Sequence, residues 1–419
     1  FFIQLAPASS YLVPLLVSIA ALVVLAWRES SSGYAFSAGL VAQLSAGLAC
    51  WMPPVGRLGA VEWALVWYSV AITGAAWATA WMVARRWVDV WREQRPGRAS
   101  LLMRLQLGIG AAAAGLVLVP GLFGLLFDLP TSPSSISAAA GGWLGWLAFL
   151  AVVGATVFHQ LDVGRPVPAD VAGLAGLALI GLAACTVAAL SGPLGLAAHG
   201  QLWGFHMMML GWAAYAVMIA IATWWLSAHV HAAGAEGPPQ ALVRAANVWV
   251  IASGALAVLL GLVAAGLLQP KEEGLWAAAA IGLAAAAAAS MGVWRRQEAW
   301  AFVAGLGVNL AASLTVSYYR AVLDDWSSLL LLVEANVIAG AAVALAWLGV
   351  GNRLSRLQER QVWSGPLLAL QIALTSAGAA AIVAPALVAL LTLPGELPAG
   401  WLMQIGSGPG AVAVGLAFV

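Results

Sequence analysis

The sequence predicts an all-α, polytopic transmembrane helix bundle with about 13 spans, and three observations predict it. Apolar residues make up 63% of the 419 residues and charged residues only 8%, too few polar groups to coat a water-soluble protein of this length. Apolar runs repeatedly reach the ~20 residues that a helix rising ~1.5 Å per residue needs to cross the hydrocarbon layer. Segments such as Ala278 to Ser290 strongly favour helix, and nothing reads as the alternating strands of an outer-membrane barrel.

Charged residues and Pro/Gly pairs divide the apolar runs into spans. Span one, about Tyr11 to Trp27, stops at Arg28-Glu29, and span two, Ala35 to Trp51, stops at Pro53-Pro54. Span three runs from Trp63 to Ala84 before Arg85-Arg86, and span four from Leu101 to Phe127 before Asp128. Span five (Gly142 to Phe158) precedes Asp162 and Arg165, and span six (Val171 to Leu190) precedes Gly192-Pro193. Span seven (Leu202 to Leu226) is followed by Pro238-Pro239, and span eight (Trp249 to Leu268) by Pro270-Lys271. Spans nine (Leu275 to Val293), ten (Ala301 to Ser317) and eleven (Ser328 to Gly349) end before Arg295, Arg320 and Arg353. Span twelve covers Leu367 to Leu391, and span thirteen Trp401 to Val419. The chain starts at Phe1 and stops inside an apolar run, so it reads as part of a longer protein.

Alternate loops differ sharply in basic residues, as the positive-inside rule requires. One side holds Arg28, Arg85, Arg86, Arg92, Arg95, Arg98, Arg104, Arg165, Arg244, Arg295, Arg296, Arg353, Arg356 and Arg360; the other holds Arg57, Lys271 and Arg320. Residue 1 is therefore expected outside, and the segments Arg85 to Arg104 and Arg353 to Arg360 in the cytoplasm, with a bacterial inner membrane as the expected location. A net charge of +1 gives no electrostatic reason to expect nucleic acid. The expected partners are the lipid bilayer and other membrane subunits.

An internal repeat is visible at a shift of 266 residues. Tyr34, Ala35, Phe36 and Ala38 to Leu40 lie on Trp300, Ala301, Phe302 and Ala304 to Leu306, and Gly74, Ala75, Ala76 and Trp81 lie on Gly340, Ala341, Ala342 and Trp347. After the loss of one residue, Leu105-Gln106 lies on Leu370-Gln371 and Pro120 on Pro385; Gly142-Trp143-Leu144 resembles Gly400-Trp401-Leu402. Spans one to five thus correspond to nine to thirteen. Eight crossings is an even displacement, so the two copies face the same way. The expected organisation is a first copy over 1–160, three additional spans over 161–270, and a second copy over 271–419 that continues beyond the last residue.

Ionisable groups inside an apolar layer are costly, which makes them the first candidates for function. His206, Glu334 and the amide of Asn309 are the clearest polar groups within the spans. His159, His229 and His231 fall at inner span ends and His199 and His206 on the outer side, where a helix end in the headgroup layer readily accepts an imidazole. His159 with His229 or His231 would supply the two axial ligands of a single heme. At the outer face Arg320, Asp324, Asp325 and Glu334 offer a base and a phosphate clamp for a lipid-linked glycosyl substrate, although a short polar hairpin also needs such residues for solvation. Cys50 and Cys185 have no metal-site spacing, and 22 tryptophans, many at span ends such as Trp27, Trp51, Trp63, Trp294 and Trp326, read as interface anchors.

The stretch His199-Gly-Gln-Leu-Trp-Gly-Phe-His206, followed by three Met and Leu-Gly-Trp212, resembles a helix of the heme-copper oxidase subunit I superfamily, over roughly residues 199–249. That resemblance implies a histidine-ligated heme. The family gathers six histidines around hemes and copper, whereas this chain has five, divided between two faces about 30 Å apart. The expected cofactor is at most a single heme, possession of none being the alternative, and no metal site is expected. Short loops, few buried charges and a duplicated bundle together suggest an integral membrane subunit or scaffold without chemistry of its own. An outer-face enzyme, a redox subunit contacting heme or quinone, and a transporter are the alternatives.

Overall fold

A computed structural model describes residues 9–50, 59–87, 96–127, 135–191, 200–232, 240–267, 273–319, 326–357 and 365–392. Every regular element among them is helical: α1 (Ser9–Arg28), α2 (Ser32–Cys50), α3 (Ala60–Trp87), α4 (Pro96–Phe127), α5 (Ser135–Ala140), α6 (Trp143–Asp162), α7 (Ala169–Ser191), α8 (Gly200–Ala232), α9 (Gln240–Leu267), α10 (Glu273–Arg295), α11 (Glu298–Tyr319), α12 (Trp326–Leu357) and α13 (Pro366–Thr392). Eleven of these are long and apolar enough to cross a membrane, so the protein is membrane-integral and multi-pass. The exception among the long helices is α3, which is 28 residues long but carries Trp63, Trp67, Tyr68, Trp77 and Trp81, side chains that lower its apolarity without shortening it.

The helices coincide with spans one to twelve of the sequence reading, and span thirteen lies outside the described residues. The element that hydropathy did not predict is α5. Its six residues, flanked by Pro133-Ser134 and Gly141-Gly142, are too short to cross a bilayer and read as loop. Packing holds it: Ser137 Oγ donates to the Gly121 carbonyl at 2.6 Å and the Tyr68 hydroxyl donates to the Ala140 carbonyl at 2.9 Å.

Packing divides the chain into two compact units, Phe1–Met208 and Met209–Val419, with the boundary inside α8. In the first, α1 packs on α2, α2 on α3, and α3 on α4 and α6, while α4 also touches α2, α5, α6 and α7. Ala26, Ala35, Ala75, Ala78, Trp81 and Met82 meet Met103, Leu107 and Ala155 in its largest buried cluster. The alanines matter because lipid is as apolar as leucine. Helices in a bilayer associate through close van der Waals contact and hydrogen bonds, which small residues permit. Among the described glycines the tightest approach to another stretch of backbone is at Gly141, where a Cβ would sit 2.2 Å from the backbone carbon of Cys185.

In the second unit α9 packs on α10, α10 on α11, α11 on α12, and α13 on both α12 and α11. Ala216 and Ala220 of α8 join Val250, Ala287 and Met291 in one core, and Val337, Ala379 and Ile382 form another. Two non-glycine residues have positive φ among the described residues, Ser30 at 50° and Arg296 at 53°. Each sits in the tight turn between two antiparallel helices, α1 to α2 and α10 to α11, where a left-handed residue reverses the chain at modest steric cost.

Candidate functional site

Polar side chains buried inside each unit are the features that need explaining, because an unsatisfied hydrogen-bonding group in hydrocarbon costs several kcal/mol, on the order of the loss of a core side chain. In the first unit two of them pair, leaving Gln106 Oε1 as the one side-chain amide atom of the bridge without a partner. Gln106 of α4 is fully buried and its Nε2 donates to Oε1 of Gln43 on α2 at 2.6 Å; Gln43 Nε2 in turn donates to the Val70 carbonyl of α3 at 3.2 Å. Two glycines make room for this bridge. A Cβ on Gly74 would collide with the Gln43 amide, and one on Gly39 would come within 2.9 Å of Gln106 Oε1. Trp77 closes the remaining side by donating its Nε1 hydrogen to the Ala35 carbonyl at 3.0 Å.

In the second unit a similar set of groups stays open. Gln371 of α13 is 1% exposed, and its Oε1, like Oδ1 of Asn309 on α11, is buried with no hydrogen-bond donor in reach. Gly340 of α12 leaves an empty spot between them: a Cβ there would lie 2.6 Å from Thr375 Oγ1, 3.4 Å from Gln371 Nε2 and 3.7 Å from Asn309 Oδ1. Asn336 contributes order, since its Nδ2 donates to Ser313 Oγ and to the Leu332 carbonyl, both at 2.8 Å, and Ser313 donates to the Asn309 carbonyl at 2.9 Å. Beside this cluster is a cavity of about 340 Å³, walled by Asn309, Asn336 and Thr375 with Val333, Val337 and Leu374. Asn309 lies near the middle of α11 and Gly340 near the middle of the apolar stretch of α12, so the site belongs to the interior of the bilayer.

The chain matches no family model, no curated protein and no solved structure. Function is therefore argued from the side chains alone.

The candidates read from the sequence fall at different places. Glu334 is buried on α12, 4% exposed, with Oε1 unpartnered, one residue after the cavity-lining Val333. Its position about two turns into α12 separates it in environment from a solvated outer loop. Arg320, Asp324 and Asp325 lie outside the described residues, as does His199; His231 ends α8 but its side chain is outside the description. His229 is exposed and bound to its own helix, its Nδ1 meeting the Trp225 carbonyl at 2.9 Å with the ring 4.0 Å from that indole. His206 is buried with its ring against Trp203 and Phe205. His159 is buried at the inner end of α6 with Nε2 unpartnered, within electrostatic range of Arg104, Asp162 and Arg85. Cys185 is a small buried residue beneath Gly141.

Sequence reasoning named Asn309 and noticed Gln106 and Gln371 only as matching letters in the repeat. Gln43, Asn336 and Thr375 were passed over. The signal for them was present: six uncharged polar residues inside otherwise apolar spans, four of them aligned in pairs, Gln43 with Asn309 at a shift of 266 and Gln106 with Gln371 at 265.

Proposed function

We propose that this protein is a duplicated membrane bundle in which the first copy is structural and the second holds a small solute or ion at mid-membrane, giving it the function of a carrier within a membrane assembly. The observation that carries the reading is the open polar cluster of Asn309, Gln371 and Thr375 beside a cavity deep in the second unit. Buried polar groups that lack protein partners mark substrate and ion pathways in membrane proteins.

The duplication is supported by coincidences of register at the same 266-residue shift. Ser30 plus 266 is Arg296, the two left-handed turn residues. Ser32 plus 266 is Glu298, and Ala60 plus 266 is Trp326, the first residues of α2, α11, α3 and α12. Gly39, Gln43 and Gly74 plus 266 are Gly305, Asn309 and Gly340, and Gln106 plus 265 is Gln371, so the amides and the glycines beneath them recur together. The packing α2 on α3, α3 on α4 and α2 on α4 is echoed by α11 on α12, α12 on α13 and α11 on α13. On this reading 1–160 and 271–419 are the copies, 161–270 are additional spans, residue 1 is outside in a bacterial inner membrane, and other membrane subunits cover part of the apolar surface.

The test is reconstitution in proteoliposomes. Protein-dependent flux of a small ion or solute, abolished in Gln371→Leu, is expected; absence of flux across a panel of inorganic ions, amino acids and sugars would return the chain to the role of a scaffold. Orientation is checked by cysteines introduced between residues 85 and 104, which should resist impermeant labelling in intact cells. A second reading, a redox subunit holding one heme as the oxidase resemblance implies, is favoured by the unpartnered Nε2 of buried His159. A reduced-minus-oxidised spectrum of the purified chain with a heme band lost in His159→Ala would establish it.

A further inference from the structure

We propose that the cluster in the second unit is a binding site for a monovalent cation, ligated by the side-chain oxygens of Asn309, Gln371 and Thr375. This inference rests on the solute-holding reading above and names its ligand class.

Three features of the cluster set that class. First, the unmet demand is for positive charge or donors. Asn309 Oδ1 and Gln371 Oε1 are acceptors without donors, and Thr375 Oγ1, which spends its one hydrogen on the Gln371 carbonyl at 2.9 Å, has a lone pair left over. Asn336, which also lines the cavity, supplies no donor because its Nδ2 is committed to Ser313 and Leu332. Second, the oxygens are neutral. Calcium and magnesium sites rely on carboxylates, and transition metals on imidazole or thiolate; no group of three or more His, Cys, Asp or Glu capable of holding a metal occurs among the described residues. Amide and hydroxyl oxygens suit a cation of single charge, and the lone buried acid nearby, Glu334, matches that charge one to one. Third, the space is there. Gly340 leaves unfilled a gap faced by Thr375 Oγ1, Gln371 Nε2 and Asn309 Oδ1, into which a half-turn of the Gln371 amide brings Oε1 in place of Nε2, and the adjoining cavity of about 340 Å³ is large enough for waters that would complete the coordination shell.

The first unit shows what the same constellation looks like when it binds nothing. Gln43 has one methylene more than Asn309, and that extra reach lets it accept the Gln106 hydrogen at 2.6 Å and close the bridge. Where Thr375 carries a hydroxyl, the shift of 265 puts Gly110, packed 3.3 Å from the Ala71 carbonyl by its Cβ position. Shortening one amide and adding one hydroxyl replace a pair in which three of four amide atoms are bonded by a cluster with two amide oxygens unpartnered.

The experiment is thermal unfolding of the purified full chain in detergent, in NaCl or KCl against N-methylglucamine chloride at equal ionic strength, with CaCl2 as the divalent probe. A saturable rise of about 2 °C or more with Na⁺ or K⁺ is expected. Thr375→Val, which removes the hydroxyl at constant shape, should abolish it. So should Asn309→Gln, which rebuilds the closed pair and is expected to be at least as stable as the parent in N-methylglucamine, so that loss of the shift is not loss of fold. Ser69→Ala in the first unit should keep the shift. The inference is overturned if neither monovalent cation raises the midpoint more than N-methylglucamine, if only calcium does, or if both cluster variants retain the shift. A cation shift without flux in proteoliposomes would leave this site standing and remove the carrier reading; flux of another solute without a cation shift would do the reverse.

Discussion

Gln106 and Gln371 occupy helices that pack in the same way on their neighbours, and both are buried to 1% or less, yet one is bonded to a partner amide and the other is not. Around Gln106 the packing serves closure, with Gln106 Oε1 alone left without a donor: Gly39 and Gly74 admit the long Gln43 side chain, Trp77 covers it, and α5 with Gly141 seals the unit against α4 and α7. Around Gln371 the adjustments serve openness, with a shorter amide at 309, polar Asn336 and Thr375 facing a cavity, and buried Glu334 next in sequence to its lining residue Val333. A bundle can bury amides for stability only if they satisfy one another; amides left unsatisfied are a standing cost that persists where a ligand repays it.

Four measurements would break or sharpen this comparison. The largest effect is expected at the seal of the first unit, where Gly141→Ala forces a methyl group onto the Cys185 backbone and should destabilise the protein by about 3 kcal/mol in denaturant unfolding. Next comes the glycine pair: Gly74→Ala drives into the Gln43 amide and should cost about 2 kcal/mol, while Gly340→Ala meets only the rotatable Thr375 hydroxyl at 2.6 Å and should cost less than half as much. Equal costs would mean the second cluster is as closed as the first. Gln106→Leu strands the Gln43 acceptor and should cost about 1 to 2 kcal/mol; Gln371→Leu removes an acceptor that bonds to nothing and should be neutral or stabilising in cation-free buffer. The smallest effect belongs to the turns. Ser30→Gly and Arg296→Gly each relieve a positive φ and should raise stability by about 0.5 kcal/mol, the same in both units.

Much of the architecture was legible before any coordinates. Hydropathy and basic punctuation placed twelve long helices, with ends that differ by as many as nine residues at the start of α9 and eight at the end of α12, because a bilayer leaves the backbone no option other than helix. The sequence also aligns on itself amid low-complexity alanine, Trp81 with Trp347 at a shift of 266 and Gln106 with Gln371 at 265, and the proposed duplication rests on that register. What hydropathy could not predict was α5, whose six residues take their stability from Gly121, Tyr68 and the α7 backbone rather than from any periodicity.

The candidate site divides along the same line. The sequence by itself determined that the amide Asn309 would lie inside an apolar span and that Glu334 would be an acid near the end of one. Only the tertiary structure decided which amides meet. Whether an oxygen three helices away is satisfied depends on the difference of one methylene between Gln43 and Asn309 and on which side of Gly74 or Gly340 the neighbouring side chain falls. Those are distances of a few tenths of an ångström to a few ångströms, fixed by how helices dock on small residues, and no periodicity along one chain encodes them.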